Sequence, residues 1–274
     1  MTNGGESRTW PELNDEVLEC WNTNAVFWDS NMGEGNAFHL QLVGPAVERL
    51  LAIRSGERVI DIACGNGQFS RRLGELGATV RAFDIAPGMI EAARRRTAER
   101  PELAARITFE VLDATDTAAL SVLGDGDADA VVCNMAIMDM AQIAPMLDAV
   151  RRALAPGGRF VFSTTHPCFN HSGMRFAVEE RVNDGEIVVE RSVRIVTYKS
   201  TGAAKGIAMV GQPRTQWYFD RTLAEILNAC FAAGFVLDGI EEPAFSEGDA
   251  DGRPFGWQAY SEIPPVLAAR LRPA

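Results

Sequence analysis

The chain has 274 residues, 47% of them hydrophobic and 23% charged, which is enough apolar material to bury a core and excludes disorder along its whole length. Its 26 Lys and Arg against 37 Asp and Glu leave a formal charge of -11, a field that repels phosphate backbones and anionic lipid surfaces, so no nucleic-acid and no membrane partner is expected. Five scattered cysteines without a C-x-x-C pair, a polar N-terminus without a signal-peptide pattern, and no apolar run of about 18 residues argue against a disulfide framework, secretion and a transmembrane helix, and for a reducing, cytoplasmic setting.

Between Ile53 and Phe162, short β-branched runs alternate with helical stretches, the pattern of stacked βαβ units on a parallel sheet. Strands are predicted at Arg58 to Ala63, Thr79 to Asp84, Ile107 to Leu112, Ala130 to Asn134 and Arg159 to Ser163. Helices are predicted to begin near Gln68, Pro87 and Asp139, and LAPGGRF reads as a helix stop running into a strand. Beyond Ser163 the pattern changes to a hairpin, Arg175 to Val182 and Glu186 to Thr197 around the turn Asn183-Asp184-Gly185. The small residues of STGAAKGIAMVGQP (Ser200 to Pro213) predict a flap. A helix from Arg221 to Ala233 and a strand from Phe235 to Ile240 follow.

The densest signal is VIDIACGNG, an apolar strand that ends at Asp61 and opens into Gly65-Asn66-Gly67 ahead of a helix. Glycines there let the backbone approach a ligand that any Cβ would strike. Asp84 closes the next strand at nearly the spacing, roughly 20 residues, of a ribose-hydroxyl acceptor, and Asp113 closes the one after, placed to accept from an adenine amino group. Three such features at the carboxyl ends of successive strands point to a nucleoside-containing cofactor. Ser70 stands where a dinucleotide fingerprint has its third glycine, no Y-x-x-x-K pair is present, and Asp61 would repel a pyrophosphate but attract a cation, so a nicotinamide dinucleotide is disfavoured.

These segments together resemble the class I methyltransferase family, in its small-molecule branch: DIACGNG, FDIAPGMIEAAR, LDAT, then VVCNMAIMDM with LAPGG match its successive motifs, and the resemblance spans nearly the whole chain. It implies a Rossmann-like, doubly wound α/β fold, with a mostly parallel seven-stranded sheet and an antiparallel last strand. A single domain is implied: an N-terminal helical cap (1–50), a cofactor-binding core (51–165), a hairpin insertion or lid (166–216) and a C-terminal completion of the sheet (217–274). The implied cofactor is S-adenosylmethionine, leaving as S-adenosylhomocysteine. By motif position, Asp61, Ala63, Gly65 and Gly67 would contact its methionine half and Asp84 its ribose. Ile85 and Met89 would flank the adenine, Asp113 and Ala114 would meet its amino edge, and Asn134 and Met135 would close over the sulfonium. Ala63 departs from the glycine common there, for which only a slight narrowing of backbone angles is expected. The cap, with Trp21, Phe27 and Trp28, would cover the cofactor or simply pack onto the body. Val266 to Leu271 is helical by propensity, yet the resemblance places the final antiparallel strand there.

Methyl transfer chiefly requires an acceptor held in line about 3 Å away, with a base only where a proton must leave. His166, in FSTTHPCF after the fifth strand, is the candidate base or substrate anchor, against a structural hydrogen bond. His39, Arg175, Trp217 and Tyr218 are candidate acceptor contacts, against ordinary packing. Asp139 reads as a helix cap rather than a base. His166, Cys168 and His171 have no evident fourth partner, so no metal is expected. The expected activity is methylation of O, N or C in a small organic acceptor such as a specialised metabolite. A non-methylating reaction with the same cofactor, a non-catalytic nucleoside-binding module and a protein acceptor stay open. The hairpin is a lid or the surface of a homodimer.

Overall fold

Runs such as Val59-Ile60 and Ala130-Val131-Val132-Cys133 are apolar at consecutive positions, so each strand buries both faces and must lie between layers of helices. The computed structural model describes residues 7–249 and 252–274. Its main sheet holds β1 (Arg58–Ile62), β2 (Thr79–Asp84), β3 (Ile107–Val111), β4 (Ala128–Asn134), β5 (Leu154–Thr165), β10 (Phe235–Glu241) and β11 (Val266–Pro273) in the order β10-β11-β5-β4-β1-β2-β3. The pairings from β3 through β5 are parallel, and β11 runs antiparallel to both its neighbours, β5 and β10. The expected seven-stranded α/β sheet is therefore present.

Helices α2 (Gly44–Leu51), α3 (Gln68–Glu75) and α4 (Pro87–Ala98) cover one face, where Val43, Leu51, Phe69, Leu73 and Ile90 meet Val59, Val80 and Val132. A four-residue α5 (Pro101–Ala104) leads into β3. On the other face α6 (Ala144–Ala153) and α7 (Leu223–Ala232) bring Leu147, Val150, Ile226 and Cys230 onto Ile60, Val131 and Phe160. Thr222 and Glu225 form a reciprocal capping box at the start of α7. An N-terminal helix α1 (Asn14–Met32) lies against α4, and a π-helical turn (Phe38–Val43) joins it towards α2.

Two features stand outside the sheet. β6 (Met174–Asn183) and β7 (Glu186–Ile195) form the predicted hairpin around Asp184 and Gly185, both at positive φ. The glycine-rich stretch expected as a flap instead contributes β8 (Ala203–Gly206), which pairs with β9 (Gln216–Phe219). The helix expected near Asp139 begins at Ala144, because Ile137–Asp139 close a tight turn and Pro145 lies in the first turn of α6. Val266 to Leu271 form a strand: threaded between β5 and β10 with nearly every side chain buried, they follow packing rather than helix propensity. No helix among the described residues is long and apolar enough to cross a membrane, and no group of three or more His, Cys, Asp or Glu among them could hold a metal ion. The cysteines are all free.

Candidate functional site

β1 and β4 are neighbours at the centre of the sheet, where the strand order reverses, and a crevice opens beyond their carboxyl ends. Asp61, Ala63 and Gly65 line it from β1 and its loop, Asp84, Ile85 and Met89 from β2 and α4, and Asp113 and Ala114 from the end of β3. Asn134 and Met135 line it from β4, with Trp21, Trp28 and His39 above them from the N-terminal segment. Ala63 and Met135 both adopt left-handed backbone, at φ of 55° and 52°. For Ala63 this is more than a narrowing of angles: a side chain in that region costs about 1–2 kcal/mol, and strain of this kind gathers at functional clefts.

The two loop glycines divide the work. A Cβ on Gly65 would project into open space over the cleft, whereas one on Gly67 would sit 2.8 Å from the Phe109 ring. Gly67 does not line the cleft, contrary to its expected ligand contact; its lack of a side chain seats α3 against β3. The Asn66 amide between them donates to Asp29 Oδ1 (3.1 Å) and the Gly33 carbonyl (3.0 Å), tying the loop to α1.

Burial shapes the carboxyls. Asp84 accepts the amides of Gly65 and Ala86, each at 2.9 Å, while burial raises its pKa. Burial, helped by the nearby Asp84 charge and opposed by the Ser70 hydroxyl at 2.5 Å, lifts Asp61 to about 7. Asp113 is tied down by the Thr115 amide and hydroxyl and by Asn14 of α1, all at 2.7 Å.

A second chamber, of about 600 Å³, adjoins the first. Its walls come from β8, β9 and the 206–209 loop, with Tyr218, His171, Asp220 and Trp257 among them. Six of the described residues line both cavities: Trp21, Trp28, Met32, His39, Met135 and Asp139. Desolvation lowers His39 to about 4, so its imidazole is neutral at pH 7. The Trp28 indole nitrogen is buried with no hydrogen-bond partner among the described residues, as is His171 Nε2.

Asp139 is not a helix cap. It ends the tight turn after β4, its Oδ1 accepts from Gln216 Nε2 at 3.1 Å, and burial lifts it to about 8 against the pull of Gln216. Behind it the buried Arg221 guanidinium donates to the carbonyls of Ile137, Met140 and Ala141, fixing the turn. The position of this turn at the carboxyl end of β4 was the signal for Asp139; Gln216 and Arg221 left none, since both act across some 80 residues of sequence.

Other expected contacts fall elsewhere. His166 lines neither cavity: its Nδ1 accepts the Cys168 amide at 3.1 Å and its Nε2–H donates to Glu242 at 2.7 Å, so neither nitrogen is left for an acceptor. Phe27 packs near Gly211 instead of over the cleft. Arg175 is exposed and donates to the carbonyls of Ser172 and Met174. Trp217 stacks on Phe219 beneath Lys205 and lines neither cavity.

The family model for the methyltransferase domain matches residues 60–162. The demethylmenaquinone methyltransferase of Clavibacter sepedonicus is 38% identical over 127 residues, covering 45% of this chain and 49% of the relative. A ubiquinone biosynthesis O-methyltransferase of Xanthomonas oryzae pv. oryzae is 33% identical over 110 residues, 40% of this chain and 44% of the relative. The chain thus spans about half the length of the curated relatives it matches. The crystal structure of an S-adenosylmethionine-dependent methyltransferase from Mesorhizobium loti superposes with a TM-score of 0.64 at 26% identity, over 83% of this chain and 96% of that one. Its core motifs, its sheet order and these likenesses agree: residues 60–162 match the methyltransferase domain family, on a sheet of the kind found in S-adenosylmethionine-dependent methyltransferases.

Proposed function

We propose that the protein binds S-adenosylmethionine in the first cleft and methylates O, N or C of a small organic acceptor, such as a specialised metabolite, held in the second chamber. The observation that carries this reading is the shared boundary of six side chains, which puts two ligand-sized spaces end to end. The residues fit the cofactor. Ile85, Met89 and Ala114 offer apolar walls for an adenine, and Asp84, oriented by two backbone amides, keeps acceptor capacity for ribose hydroxyls. The raised carboxyl of Asp61 ionises beside an ammonium, and Gly65 leaves room for close approach.

When bound, the cofactor supplies a methyl carbon made electrophilic by its sulfonium. This chain's own side chains position the acceptor, shield it from water, and at the boundary hold a proton: neutral His39 on one side, Asp139 on the other. The names of the relatives, which refer to demethylmenaquinone and to ubiquinone biosynthesis, support a small acceptor, and the charge of -11 disfavours nucleic acid. Calorimetry with S-adenosylhomocysteine tests the assignment. Asp84→Ala is expected to weaken binding by about 1–3 kcal/mol, roughly 5- to 150-fold; unchanged affinity would remove Asp84 from the ribose role.

A further inference from the structure

Charge restricts what the boundary between the two cavities can hold. Their walls carry the carboxyls of Asp61, Asp84, Asp113, Asp139 and Asp220, and among the described lining residues one cation, Lys205. Lys205 is already engaged: its ammonium donates to Glu16 at 2.5 Å and lies 4.7 Å from the centre of the Trp217 ring. Arg221, behind the turn, spends its donors on backbone carbonyls. Of the five carboxyls, only Asp139 lines both cavities. Gln216 holds its Oδ1, and Oδ2 receives no hydrogen bond among the described residues. The same boundary is lined by the indoles of Trp21 and Trp28, with ring centres 5.1 Å apart and planes at 61°. Two indoles and a carboxyl with a free oxygen on one boundary, with no free cation among the described lining residues, supply the elements of a receptor for an ammonium. A carboxylate acceptor would find no free cation to pair with among the described lining residues.

We propose that the acceptor is an amine, bound as its ammonium against Asp139, with Gln216 and Arg221 as positioning residues. The inference deepens the methyl-transfer reading above and rests on it. Asp139 Oδ2 takes one N–H proton from the ammonium. The freed nitrogen lone pair then forms the C–N bond while the C–S bond breaks and its electron pair stays on sulfur, so the product leaves as a methylated ammonium beside a neutral thioether.

Titration adds a second readout. Burial and the Asp84 charge keep Asp139 protonated near neutral pH, and an arriving ammonium favours the carboxylate, so binding expels a proton. The other titratable groups facing this space respond differently. His39 and His171 are already neutral at pH 7, the Tyr218 hydroxyl is held above its ordinary value by burial, and Asp61, Asp84 and Asp220 do not line both cavities.

The experiment uses the full chain loaded with S-adenosylhomocysteine and two calorimetric probes of similar shape, 2-phenylethylammonium and 2-phenylethanol. The ammonium is expected to bind at least about tenfold more tightly, and titrations at pH 7 in two buffers of different ionisation heat should show proton release for the ammonium alone. Asp139→Asn should abolish both differences while keeping wild-type affinity for S-adenosylhomocysteine and S-adenosylmethionine. Equal or absent binding of the two probes, no proton release from the wild-type protein, or a preference that survives in Asp139→Asn overturns the proposal. So does an Asp139→Asn protein that loses S-adenosylmethionine but keeps S-adenosylhomocysteine, since the carboxyl would then serve the sulfonium. Failure of the wild-type chain to bind S-adenosylhomocysteine at the loading step sinks the underlying reading instead, and is seen before either probe is added. Proton release by the wild-type protein needs no variant, so the test survives a variant that misfolds.

Discussion

The glycine loop allows a paired test, because Gly65 and Gly67 share a backbone requirement but not an environment. Both have left-handed backbone, at φ of 55° and 75°, and alanine in that region costs about 1–2 kcal/mol. Against this, alanine restricts the unfolded chain and returns about 0.4–1 kcal/mol. At Gly65 no atom lies within 4 Å of the added methyl, so the net loss is about 0.5–1 kcal/mol. At Gly67 the methyl would lie 2.8 and 2.9 Å from Phe109 ring carbons and 3.0 Å from the Ala93 Cβ, in a packed layer that cannot retreat. Overpacking adds about 1–3 kcal/mol, for a net loss of roughly 2–4 kcal/mol. Ligand binding should rank the other way at fixed fold: Gly65→Ala puts its methyl where the cofactor backbone contact is proposed, and should lose about tenfold or more in S-adenosylhomocysteine affinity. Urea unfolding with equal slopes gives the stabilities, and calorimetry on the folded variants the affinities. A Gly67→Ala protein as stable as Gly65→Ala, or a Gly65→Ala protein with wild-type affinity, would refute the reasoning.

Three further outcomes are expected. Asp61 and Asp139 titrate higher in the folded chain (about 7 and about 8) than unfolded, so the native state holds extra protons and stability falls as pH rises from about 4 to about 8. Asp139→Asn should flatten that fall by of order 2–3 kcal/mol between pH 5.5 and 8.5; parallel stability curves for the two proteins would contradict the buried, protonated carboxyl. His166→Ala should cost about 2–3 kcal/mol of stability through the lost Glu242 and Cys168 bonds yet leave S-adenosylhomocysteine affinity unchanged, and a marked loss of affinity in calorimetry would return the ring to the site. Trp28→Phe removes a buried indole N–H that has no partner among the described residues, so stability should change by less than about 1 kcal/mol while S-adenosylhomocysteine affinity drops; a titration matching wild type would show that the donor serves nothing.

The first cleft was legible because parallel strands announce themselves: β1 and most of β2 are buried on both faces, β3 at the edge buries one face, and each strand ends at or near an acid, Asp61, Asp84 or Asp113. Side-chain direction at loop positions was not. His166 follows β5 as expected, yet its ring turns to Glu242, 76 residues away. Asp139 has the sequence context of a helix start, yet it closes a tight turn whose carbonyls are held by Arg221, a residue remote in sequence. The wall of the second chamber was equally hidden, since the small residues around Ala203 pair with β9 only through long-range packing that no local pattern encodes.

One attachment bears on how anything enters. Asp29, in the last turns of α1, is buried and meets Arg95 at 2.6 Å and Arg96 at 2.5 Å on α4 as well as Asn66 at 3.1 Å. Further along, Asn14 reaches Asp113, and beyond it the Trp10 amide donates to the Ala141 carbonyl at 3.0 Å. The N-terminal helix is thus bolted to the frame at both ends, and swinging it aside would strip two ion pairs and several hydrogen bonds at once. The opposite wall is fastened more lightly. From Ile207 to Pro213 the side-chain hydrogen bonds among the described residues all run through Gln212, Phe27 packs near Gly211, and Ile207 and Val210 face water. Displacing the 207–213 segment is therefore expected to break fewer bonds than displacing α1.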